Sequence, residues 1–202
     1  MNSKLKTKKT QKKYTQKNLD KKNLFYHIGN ICIVLSLFGL LFTFVPLLRA
    51  YLLPPSPFNR DLLDTFIEIP KIQAVAPLLL DVDPKREEIY KKELEKGVAH
   101  AKGTKYPGEK GTVFLFAHSS GSPWEITRYN TIFLRLGELE VGDKIRVGHK
   151  DSIYEYKVFD KKIVWPDDVQ YLNDISKNQL IIQTCYPIGT SLQRLLVFAT
   201  PI

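Results

Sequence analysis

Hydrophobic and polar positions follow two rhythms along the chain. From Ile28 to Leu48, 21 consecutive positions carry no charge, and Arg49 closes the run. From about residue 62 onward the apolar stretches are short, often alternate with polar residues, and are separated by Gly, Pro, Asn and Asp, as in strands joined by turns. Phe66–Ile69 alternates and stops at Pro70. Ile72–Val82 predicts a second strand, bent or placed at an edge by Pro77. Asp83, Pro84 and Gly97 supply the cap, first-turn and stop signals of a helix running to about Lys96. Ile89 and Leu94 give that helix only a thin apolar face, so it reads as a surface helix. Residues 97–111 hold four glycines and Pro107, a loop with room for a short strand. Gly111–His118 is the strongest strand signal of the first half and leads into the polar loop 119–123.

Residues 130–139 fit a helical turn or a strand. Ile145–Val147 and Ile153–Val158 alternate around Gly148–Ser152, which predicts a hairpin. Ile163–Trp165 ends a further short strand, and residues 167–177 read as a loop with one helical turn. Two apolar runs close the chain. One ends in Thr184-Cys185, the other opens at Arg194, and a Pro/Gly turn lies between them. Seven or eight short strands and one helix predict a small β-barrel or sandwich.

Charge sharpens the reading of the uncharged run. Residues 1–27 hold nine lysines against one acid, Asp20, a net +8 of the chain's +9. The rest is close to neutral, so the basic balance describes a tail and not the folded part. A lysine run without a recognition motif does not point to nucleic acid. At about 1.5 Å per residue, residues 28–48 span the ~30 Å core of a bilayer as a transmembrane helix. A cleaved leader would have a shorter apolar core and a small-residue cleavage site, which Arg49–Pro54 does not offer. Lysines ahead of the span place the N-terminus in the cytoplasm and everything after Arg49 outside it. The expected organisation is a Lys-rich cytoplasmic tail without fixed structure (1–27), a membrane helix (28–48), a Pro-rich linker (49–61) and a globular domain (62–202).

Cysteine count then bears on chemistry. Cys32 lies in the span and Cys185 is the only cysteine beyond it, so no disulfide can form within the exported domain. A solitary thiol there is either a buried structural residue or a reactive one. A cysteine nucleophile needs a base or a positive partner, because only the thiolate attacks. His118 ends a strand as Cys185 does, and spacing alone leaves it open between a catalytic and a satisfied rim histidine. His149, in the hairpin turn, reads as solvated, and His100, in Gly97-Val98-Ala99-His100, as structural or as a support behind the reacting groups. Arg194, nine residues after Cys185, suits a charge stabiliser. The acidic pairs Glu87-Glu88 and Asp167-Asp168 read as solvated faces. Cys185 and His118 alone fall short of a zinc ligand set, and no Gly-rich phosphate loop occurs. No metal or cofactor is expected.

Ile69-Pro70-Lys71-Ile72, Gly97-Val98-Ala99-His100, Gly103-Thr104, Pro107-Gly108-Glu109, Ala117-His118 and Thr184-Cys185 with Arg194 together resemble the sortases, membrane-anchored cysteine transpeptidases of bacterial envelopes. The resemblance covers about residues 64–199. Thr184-Cys185-Tyr186-Pro187 with Gly189 and Arg194 is most similar to classes D and E, although Ile181 and Ile182 stand where the family has Thr and Leu. The resemblance implies a mostly β fold, a closed eight-stranded barrel with one or two short helices behind a single membrane helix. It implies Cys185 as nucleophile, His118 as general acid and base, and Arg194 as oxyanion or substrate stabiliser, with Thr184 and Tyr186 lining the substrate and oxyanion site. The implied partners are secreted proteins with a C-terminal sorting signal and an amine of the cell wall or a pilin, at the membrane and without nucleic acid. Two other readings keep the same residues: a non-catalytic peptide-binding adaptor, and a thiol hydrolase that uses water.

Overall fold

The computed structural model describes residues 2–52, 64–119, 129–168, 170–173 and 176–202. The chain divides into two units, Met1–Val45 and Pro46–Ile202. Helix α1 runs from Asn2 to Leu52. The lysine-rich segment expected to lack structure is therefore helical, because no Gly or Pro precedes Gly29 and Lys, Gln and Leu are good helix formers. Within α1, Phe25–Pro46 is a 22-residue stretch of mean hydropathy 2.3, long and apolar enough to cross a membrane. Most of the linker read at 49–61, and the domain start at 62, lie outside the described residues.

Among the described residues of the second unit there are eight strands: β1 (Phe66–Ile69), β2 (Ala74–Val82), β3 (Val98–Ala101), β4 (Thr112–Phe116), β5 (Lys144–His149), β6 (Ser152–Val164), β7 (Gln179–Tyr186) and β8 (Gln193–Pro201). They close into one barrel in the order β1-β2-β3-β4-β7-β8-β6-β5, with β5 pairing back onto β1. Closure leaves no free sheet edge. Two pairs are parallel, β2 with β3 and β4 with β7; the others are antiparallel.

The strands follow their alternation. Pro77 is the point at which β2 changes partner: residues 74–77 pair with β1, and residues from Leu78 on pair with β3. A residue without an N–H sits where the ladder is handed over. The β5–β6 hairpin turns on Lys150 and Asp151, both at positive φ (50° and 59°). The segments read as separate strands at 153–158 and 163–165 are one strand, β6. A register shift between Val158 and Asp160 keeps it paired with β8 along its length.

Helix α2 (Glu87–Leu94) connects the parallel pair β2 and β3. It starts later than the sequence suggested, because the Asp83 carboxylate accepts the Lys85 N–H at 3.0 Å and closes a local turn instead of capping the helix. Helix α3 (Gln170–Asn173) is the short helical turn before β7. Residues 129–139 form turns ending in a 3-10 segment, Leu136–Glu138, not a strand.

Alternation sorts the core into two layers. Val113, Leu115, Leu180, Ile182, Val197 and Ala199 share the barrel's inner face and are buried. Phe114, Phe116, Ile181 and Phe198 lie on the opposite face, where the helices cover them: Tyr90 of α2 meets Phe116 edge-on at 5.9 Å, and Tyr171 of α3 meets Phe198 at 5.6 Å. This second layer of aromatic contacts carries the site.

Candidate active site

The parallel pairing of β4 with β7 decides where reactive side chains meet. Parallel strands finish at the same end of a sheet. Phe116 is the partner of Gln183. The Ala117 N–H continues the ladder to the Gln183 carbonyl at 3.2 Å, which brings His118 alongside Cys185, each two residues past the Phe116/Gln183 pair. Strand β8 enters at this rim in the antiparallel sense, and Cys185 is the register partner of Arg194. Val164 of β6 pairs with Arg194 on its other side. Strand β4 and the consecutive strands β7 and β8 thus bring a thiol, an imidazole and a guanidinium to one end of the barrel.

The Cys185 thiol is free and half-buried. The Arg194 side chain is half-buried and anchored by one nitrogen. Its Nη1 donates to the carbonyls of Ser191 and Gln193, both at 3.0 Å. Nε and Nη2 have no partner among the described residues, so one edge of the planar fork is held and the other is available. His118 is half-buried, and its ring has no hydrogen-bond partner among the described residues. Burial pushes its pKa below the ordinary value, the Lys91 ammonium of α2 pushes the same way, and Glu95 opposes. His118 is therefore mostly neutral near pH 7 and able to take up a proton.

Thr184 does not join this group. Its side chain is buried on the other face of β7, and its hydroxyl donates to the Ala117 carbonyl at 3.0 Å. It straps β7 to the residue before His118. Tyr186 is half-buried against the edge of the core and pairs with Gln193. The polar loop expected at 119–123 lies outside the described residues from position 120 on.

The other histidines are not part of the site. His100 is fully buried, as its structural reading required. Its Nδ1 accepts the Asp81 N–H at 3.3 Å, which leaves Nε2–H to donate to the Lys105 carbonyl at 3.0 Å. His149 is buried, not solvated as its turn-flanking position suggested. Its ring stacks on Tyr106 at 5.8 Å, and Tyr106 stacks on His100 at 5.1 Å. The Tyr106 hydroxyl bonds the Asp81 carboxylate. Among the described residues no group of three or more His, Cys, Asp or Glu is arranged to hold a metal ion.

A family model described as a sortase domain matches residues 67–202. The chain belongs to the sortase family. Sortase D of Bacillus subtilis (strain 168) is 34% identical over 136 residues, covering 65% of this chain and 60% of the relative. The chain therefore spans about three fifths of the length of that curated relative. Sortase C1 of GBS Pilus Island 1 is 28% identical with a TM-score of 0.57, covering 68% of this chain and 63% of that one. Sortase C-3 of Streptococcus pneumoniae is 27% identical with a TM-score of 0.57, covering 69% and 62%. A Clostridium perfringens Sortase D5 transpeptidase, 24% identical with a TM-score of 0.56 and covering 68% and 78%, shares the sortase fold.

Helix α2 is where reading the sequence fell short. Ile89 is exposed, and Tyr90 and Leu94, four residues apart, form the covering face of the helix. Counting Tyr as apolar at the spacing of Leu94 would have found that face. Through it α2 sets Tyr90, Lys91 and Glu95 beside the site.

Proposed function

We propose that the chain is a sortase-type cysteine transpeptidase. Its substrates would be secreted proteins bearing a C-terminal sorting signal, and its acceptor an amine of the cell wall or of a pilin. The observation that carries this is the register of β7 and β8, in which Cys185 and Arg194 are partners. The alignment of His118 with Cys185 through β4 supports it further.

In this reading the Cys185 thiol gives its proton to the neutral His118 ring, and Sγ, as the thiolate, attacks the scissile carbonyl. The C–N bond breaks, His118 passes a proton to the leaving amine, and a thioester remains on Cys185. The incoming amine attacks that thioester, His118 takes its proton, a new amide forms and the thiolate leaves. The free edge of the Arg194 guanidinium faces the oxygen that gains charge in both steps, while its Nη1 holds it to the β7–β8 turn. Thr184 acts through the strap it makes to Ala117, which keeps His118 and Cys185 level.

The apolar stretch of α1 would anchor the protein, with the lysine-rich N-terminus in the cytoplasm and the barrel outside. Tethering raises the effective concentration of substrates that emerge at the same membrane.

The test is mass spectrometry of the full-length protein in detergent after incubation with a randomised peptide library. A peptidyl adduct on Cys185, released by an added amine as a new amide and missing in Cys185→Ala, is the expected outcome. Release by water alone would replace the transpeptidase with a hydrolase. The absence of any adduct, together with a thiol that resists alkylation, would leave a peptide-binding adaptor.

A further inference from the structure

Tyr90 is a polar aromatic of α2, on the side of the helix that packs against the strand leading to His118. Its ring lies edge-on against Phe116, two residues before His118. Phe116 is in turn the register partner of Gln183, two residues before Cys185. Alternation puts Phe116, Gln183, Cys185 and Arg194 on one face of the sheet, the face on which α2 packs. The Tyr90 ring is half-buried against the edge of the core. Its hydroxyl has no hydrogen-bond partner among the described residues, although it lies within electrostatic reach of both Cys185 and Arg194. A half-buried phenol normally finds a partner for its O–H.

We propose that the missing partner is the substrate: Tyr90 donates its hydroxyl hydrogen to the scissile carbonyl oxygen as that oxygen becomes an oxyanion, opposite the donors of Arg194. This inference rests on the cysteine-transpeptidase reading. The groups around the hydroxyl favour it. Burial, and next the Glu87 carboxylate, hold the phenol above its ordinary pKa, so the proton stays on and is available to donate. Arg194 brings charge from β8 and Tyr90 a neutral donor from α2, so the two approach the oxygen from different elements of the fold. No bond is made or broken at Tyr90. It contributes only where negative charge accumulates, which stabilises the transition state over the ground state.

Tyr90→Phe separates this from packing, because it keeps the ring on Phe116 and removes only the hydroxyl. In full-length protein in detergent, the peptide that acylates Cys185 best in the library should react about tenfold or more slowly with Tyr90→Phe. The loss should fall in kcat with KM unchanged. The rate of Cys185 alkylation by iodoacetamide and the thermal unfolding midpoint should both stay at the wild-type values. A small ester, p-nitrophenyl acetate, passes through the same kind of oxyanion and should show the same deficit. Equal acylation rates in Tyr90→Phe and wild type would overturn the inference, and so would a slower rate accompanied by a lowered unfolding midpoint. If the wild-type protein forms no peptide adduct at all, the transpeptidase reading fails by itself. The Tyr90 assignment is then decided by the ester, where equal release of p-nitrophenolate overturns it.

Discussion

Arg194 commits one nitrogen of its guanidinium to the turn that carries it and keeps the others for the site. A lysine could fill one of these roles but not both, because an ammonium has no planar fork. Arg194→Lys should slow acylation of Cys185 about a hundredfold in a stopped-flow assay while leaving the fold intact. Thr184→Val should do the reverse. Losing the strap to Ala117 costs about 1 kcal/mol of stability, read in urea titrations, and acylation should persist with only a modest loss. His118 makes a third prediction. Its pKa is lowered first by burial and then by Lys91, with Glu95 opposing. The acid limb of the pH–rate profile should therefore lie below about 6.5, the ordinary histidine value. Lys91→Gln removes a cation beside the imidazole and should move that limb upward. Glu95→Gln should move it downward. A limb that ignores both charges would mean that His118 does not govern it. Strand ends and a lone thiol singled out Cys185, His118 and Arg194 as candidates in the sequence, while their roles came only from the resemblance to the sortases. The burial of His149 was not legible, because it depends on a ring stack with Tyr106, more than forty positions away in sequence.

At the scale of elements, local pairings could be read and long-range ones could not. The β5–β6 hairpin and the β7–β8 pair follow from alternation around turn residues, and the structure keeps both. The parallel pairing of β4 with β7 joins segments more than sixty residues apart, and no local pattern encodes it. That pairing is what turns two strand ends into one site. Helix α2 was misread for a related reason. Its covering residue, Tyr90, counts as polar or apolar according to what it packs against, and Phe116 settles that only in three dimensions. The attachment of α2 is itself testable at Gly97, just before β3. A Cβ there would lie 2.4 Å from the backbone oxygen of Pro77, at the point where β2 passes from β1 to β3. Backbone does not yield as a flexible side chain does, so Gly97→Ala should cost about 1–3 kcal/mol. It should also slow acylation more than its stability loss explains, because the displaced helix carries Tyr90, Lys91 and Glu95. Urea titration and acylation rate, measured on the same preparation, check both parts.

For the whole molecule, three titratable rings are held in their neutral forms at different places in the barrel. Burial lowers the pKa of His100, His118 and His149 alike. His100 has a further reason to stay neutral, since its Nδ1 accepts from the Asp81 N–H and a proton there would set two donors face to face. Both ring nitrogens of His149 are buried without a partner. The unfolded chain takes up these protons near pH 6.5, before the folded protein does. Stability should therefore be level above that value and fall as pH drops below it, by up to about 1.4 kcal/mol per pH unit for each ring, until the folded-state values are passed. The Asp81 and Glu109 carboxylates pull the other way at His100, and Glu109 does so at His149, which limits the loss without reversing it. The measurement is the urea midpoint of the full-length protein in detergent between pH 5 and 8. His149→Phe preserves a ring against Tyr106, removes the group with no hydrogen bond to lose, and should flatten the acid side of the curve. An unchanged slope in that variant would assign the acid sensitivity to His100 and His118 alone. A midpoint that rises as pH falls from 7 to 5 would contradict the neutral state of all three.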